Sequence, residues 1–76
     1  MIFIVGRTDQ KAPEAKAIEA KSLTEAAGLV LAKILIFAKG DITVKMNTEQ
    51  ASFTYSVDPD QPSRTMVVKE TGDVYG

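Results

Sequence analysis

The stretch SLTEAAGLVLAKILIFAKG, residues 22–40, decides how the rest of the chain is read. Its interior, AAGLVLAKILIFA (26–38), is apolar apart from Gly28 and Lys33. Such a run has three readings: a bilayer span, a core helix, or a surface kept for a partner. A span takes about 20 apolar residues, and this run is shorter, with Lys33 near its middle. Its flanks mark a helix instead. Ser22-Leu23-Thr24-Glu25 is a capping box, in which the serine oxygen accepts from the third helical backbone N–H while the glutamate reaches back. Lys39-Gly40 reads as the stop, a cation in the last turn followed by a residue suited to the left-handed conformation. The spacing predicts a helix over residues 23–39, roughly 25 Å long.

Helical phase separates two stripes. Leu23, Ala27, Val30, Ile34 and Ala38 fall together, with Leu31 and Phe37 at the margins, and form the predicted core face. The opposite stripe holds Glu25, Gly28, Ala32 and Lys39, and it also receives Leu29 and Ile36. Leu29 and Ile36 stand at heptad spacing with Ala32 between them, so Leu29, Ala32 and Ile36 form a candidate dimer seam. The seam has four possible covers: a second copy of the chain, a different protein, the tail around Val74 and Tyr75, or solvent alone.

The flanking segments have the period of strands. MIFIVGR (1–7) is apolar on both faces over its first five residues, as in a strand inside a sheet, and the polar residues 8–13 end it. Residues 15–21 alternate more weakly, with Ile18 and Ala20 pointing one way. After the helix, Ile42, Val44 and Met46 alternate with Thr43, Lys45 and Asn47, and Phe53, Tyr55 and Val57 alternate with Ser52, Thr54 and Ser56. A last strand over residues 65–70 sends Met66 and Val68 inward. Residues 47–50 and 58–63 read as hairpin links. The expected fold is α+β: a single helix packed on one face of a mostly antiparallel sheet of about five strands, in the order β-β-α-β-β-β.

A chain of 76 residues is one domain, 1–76, that buries only about 60% of the surface its unfolded form exposes. Its 45% apolar and 25% charged residues are those of a globular chain, not a disordered one. The opening residues lack the basic and long apolar regions of a signal peptide, so a cytoplasmic location is the expectation. Without His or Cys the usual neutral-pH base and the most reactive nucleophile are missing. No enzyme activity is expected. Scattered glycines make no phosphate loop. Asp58-Pro59-Asp60 starts like a calcium loop, but Lys69 stands where the closing glutamate belongs, so turn chemistry is the reading. Neither a cofactor nor a metal is implied.

Charge differs between the halves. Residues 1–45 carry Arg7 and six lysines against five acids, and residues 46–76 carry two bases against five acids. A first half of net +2 (7 − 5) falls short of the basic stripe that phosphate binding needs, so direct nucleic-acid binding is not expected. Away from the helix, Thr43, Ser52, Thr54, Ser56 and Thr65 form a small-polar row flanked by Lys45 and Lys69. Thr43, Thr54, Ser56, Lys45 and Lys69 are the candidate partner-binding residues, although such a row is also ordinary for a wet strand face.

At IEAKSLTEAA (18–27) a strand ends in EA, a capped S-x-x-E-A start opens the helix, and a β-meander follows. This layout, over residues 15–57, resembles small proteins of phages and other mobile elements, among them several anti-CRISPR proteins and a phage inhibitor of host RNA polymerase. The resemblance implies a protein that occupies a surface of a host nucleoprotein complex and does no chemistry. The unusually apolar helix departs from that group, and the matching positions build the fold, so no binding residue is carried over. The leading expectation is a non-enzymatic interaction module acting by steric occlusion on another protein. The alternative is a small dimeric nucleic-acid-binding regulator contacting phosphates through Lys16, Lys21, Lys39 and Lys45.

Overall fold

The computed structural model of the chain describes residues 1–8 and 16–70. The elements are β1 (Ile2–Arg7), β2 (Lys16–Glu19), α1 (Leu23–Phe37), β3 (Lys39–Met46), β4 (Gln50–Ser56) and β5 (Arg64–Glu70), in the expected β-β-α-β-β-β order. One five-stranded sheet forms, ordered β2-β1-β5-β4-β3, and every neighbouring pair is antiparallel. β1 lies between β2 and β5, which explains why it is apolar on both faces. Expectations that fall on residues 9–15, and on a tail cover by Val74 and Tyr75, lie outside the described residues.

The core sits between α1 and one face of the sheet. Phe3, Ala51, Phe53, Tyr55 and Val68 are buried there, under Ala26, Ala27, Val30 and Ile34 of the helix. Leu23, Leu31 and Ala38 pack at its margin, so the predicted stripe is the buried one, with Ala26 added to it. Phe37 reaches Tyr55 edge to face, with ring centroids 5.8 Å apart.

The helix starts where the capping signal places it. Ser22 is extended, and its Oγ accepts from the Glu25 backbone N–H at 3.2 Å. The other end differs from the expectation. Ala38, extended at φ −73° and ψ 147°, still donates its N–H to the Ile34 carbonyl, and Lys39 is already in β3. Gly40 does adopt a left-handed φ of +80°, but it lies at the register shift between Lys39 and Thr43. The reason is that the helix passes into a strand across a single residue. The special backbone position is therefore needed inside the β3–β4 ladder, where the extra length is taken up, and not at the helix end.

Side chains close the turns. Asn47 Oδ1 accepts from the backbone N–H groups of Glu49 and Gln50 at 2.7 and 2.9 Å, joining β3 to β4. Asp58 Oδ1 accepts from the Asp60 N–H at 3.0 Å, so this carboxylate shapes the bend between β4 and β5.

The topology fixes how α1 lies. β2 and β3 are the two edges of the sheet and, with every neighbour antiparallel, they run the same way. α1 starts beyond the end of β2 and delivers the chain to the beginning of β3, so it crosses the sheet diagonally. Its 15 residues extend about 22 Å, and the five strands are about 19 Å wide. Among the described residues, a diagonal cover leaves two corners of the helix-side face open. One lies at the start of β2 and the end of β1, the other at the end of β3. The second corner corrects an expectation: Val44 and Met46 do alternate onto the helix side, Val44 pairing with Phe53 and Met46 with Ala51, but both are about half exposed because α1 does not reach over them.

Candidate functional site

Two surfaces compete for the role of a contact site. The first is the outer side of α1 with the open corner beside it. Leu29 is 48% exposed and Ile36 is 83% exposed, and Ala32 between them also faces solvent. Leu35, which belongs to neither predicted stripe, is 62% exposed and lies across the buried stripe from Leu29.

Beside Leu29 the open corner deepens into a groove of about 440 Å³. Val5 and Ile18 from β1 and β2, Met66 from β5, and Leu29 and Phe37 from α1 give it an apolar lining. Arg7, Lys16 and Lys33 stand around it, and no carboxylate lines it among the described residues. Lys16 pairs opposite Val5, which puts both side chains on the helix side. An apolar floor with a few placed charges is the usual make-up of a ligand groove. The groove escapes sequence reasoning because β1–β2 and β1–β5 pairing assembles it from residues far apart in the chain. Its one legible signal is Lys33, set between Leu29 and Ile36.

The second surface is the other face of the sheet. Cross-strand register brings the predicted residues together there: Thr43 opposite Thr54, Thr54 opposite Thr65, Lys45 opposite Ser52, and Lys69 opposite Gln50. Ser56 follows Thr54 on the same face. Thr43, Lys45 and Lys69 are exposed, whereas Thr54 and Ser56 are half-buried. Several hydroxyls already have local partners. Thr54 and Thr65 share a hydrogen bond at 3.3 Å, and Ser56 Oγ donates to the Asp58 carbonyl at 3.4 Å. The face is assembled, and Thr54, Thr65 and Ser56 already make hydroxyl contacts with local partners.

The lysines of the regulator reading are spread apart. Lys16 starts β2 and Lys21 lies two residues past its end, and Lys39 and Lys45 are near the two ends of β3. Because β2 and β3 are the opposite edges, the four mark the corners of the sheet. Lys16 is on the helix side and Lys45 on the other. They do not line up into a stripe that tracks a phosphate backbone.

Among the described residues no group of three or more His, Cys, Asp or Glu side chains converges on a metal-sized site, and no helix is long and apolar enough to cross a membrane. Compared with protein-family models, curated proteins and solved structures, the chain matches none.

Proposed function

We propose that the chain is a non-enzymatic protein-interaction module that docks through its helix side and acts by sterically occluding a partner's surface. The observation that carries this reading is the stripe of Leu29, Ala32 and Ile36, all exposed on one 15-residue helix, beside an apolar groove that Leu29 and Phe37 line. Single exposed apolar residues are ordinary, since more than half of a protein's surface is apolar. A contiguous group on one element marks an interaction surface. The layout's resemblance to mobile-element inhibitors extends the proposal to a host defence or transcription complex as the partner.

Capture from a host-cell lysate separates the two surfaces. Three forms of the protein are compared: wild type, Leu29→Glu/Ile36→Glu on the helix, and Lys45→Glu/Lys69→Glu on the far side of the sheet. All four side chains are exposed, so folding is expected to survive in each. The reading predicts a set of proteins retained by wild type and by the sheet variant and lost by the helix variant. Loss with the sheet variant alone would move the contact to the polar face.

A further inference from the structure

Leu29, Lys33 and Ile36 follow one another at i, i+4 and i+7, so the exposed apolar stripe of α1 has a cation in its middle. Lys33 also lines the groove, as does Lys16 of β2. This pattern bears on what covers the stripe. A second copy related by a two-fold axis through the seam would bring Lys33 against Lys33 of its twin, within about one helical turn whether the helices run parallel or antiparallel. Like charges at the centre of an interface act against that pairing. A small amphipathic molecule held within about 440 Å³ would leave Ile36, which is outside the groove lining, uncovered. A partner helix parallel to α1 covers the groove and Ile36 together, because Leu29 and Ile36 are about 10 Å apart along the axis.

We propose that the groove and the adjoining Leu29–Ile36 stripe take an acidic amphipathic helix of a partner protein. Its apolar residues lodge between Leu29 and Phe37, and its carboxylates meet Lys33 and Lys16. The inference rests on the interaction-module reading and gives that partner its chemistry.

Two fluorescent helical peptides test it. Both carry leucines at i, i+3, i+4 and i+7; glutamates flank the leucines in one and lysines in the other. Anisotropy should show the glutamate peptide binding the full chain at least about tenfold more tightly than the lysine peptide. Lys16→Glu/Lys33→Glu should reverse that order, and Lys33→Gln alone should narrow the gap. Both lysines are exposed, and unchanged thermal unfolding verifies that the variants are folded. Amide shifts on titration should gather at Val5, Ile18, Leu29, Lys33 and Ile36. Equal binding of the two peptides, or a footprint around Thr54, overturns the proposal. So does a wild-type dimer in sedimentation that Leu29→Glu/Ile36→Glu dissolves, which would make a second copy the cover. If the acidic peptide fails while lysate capture still depends on Leu29 and Ile36, the module reading stands with a partner of different chemistry. If capture is also indifferent to those residues, the module reading falls as well.

Discussion

The inner side of α1 carries Ala26, Ala27, Val30 and Ile34, all buried, and the outer side carries Leu29, Leu35 and Ile36, all exposed. Three large apolar side chains are therefore turned away from the sheet, while Leu23 and Leu31 pack at the core margin and Phe37 rests on Tyr55. Small residues suit the inner side because the sheet beneath already fills the space: Phe3, Phe53 and Tyr55 rise toward the helix, and alanines let it approach closely. Among the described residues, none of the core residues packs on Leu35 or Ile36, which are 62% and 83% exposed. Apolar character alone does not identify the core of this domain; placement relative to the sheet does.

The sharpest way to break the comparison uses two isoleucines two positions apart. Ile34 is 1% exposed and Ile36 is 83% exposed. Ile34→Ala should lower unfolding stability by about 2–5 kcal/mol, through lost transfer energy and a residual cavity. Ile36→Ala should change it by less than about 0.5 kcal/mol. Urea denaturation of the two variants reads the contrast directly, and similar losses from both would erase the distinction between the two sides.

Two glycines sharpen it at smaller scale. Gly40 holds φ +80°, so Gly40→Ala should be destabilising by about 1–3 kcal/mol even though a Cβ there meets no atom within 4 Å. Gly28 faces outward in α1 with equally open surroundings, and its backbone is ordinary helix. Gly28→Ala should therefore raise stability by about 0.5–1 kcal/mol. Thermal unfolding of the pair tests whether the outer side of the helix is free of packing demands.

Local signals carried much of this fold. The Ser22 cap, the Asn47 and Asp58 turns and the alternation of β4 depend on near neighbours, and each appears where the residues indicate. Helical phase likewise placed Leu29 and Ile36 opposite the core stripe, because phase within one helix is a local property. What depends on strand order was not legible. The diagonal crossing of α1 follows from β2 and β3 being opposite edges, and it decides that Val44 and Met46 are left open and that Val5, Ile18 and Lys16 line a groove. Gly40 shows the same limit. Its need for a left-handed backbone was visible, but the bulge in a ladder with β4 was not.

On this geometry the fold does not need Leu29 and Ile36, the exposed seam of α1. Urea unfolding of Leu29→Glu/Ile36→Glu beside wild type tests it most directly, with midpoint and slope both measured at two protein concentrations. The account predicts that the double variant unfolds within about 0.5 kcal/mol of wild type, with the same slope and no dependence on concentration. A loss of about 2 kcal/mol or more would contradict it, because Leu29 and Ile36 would then be core residues.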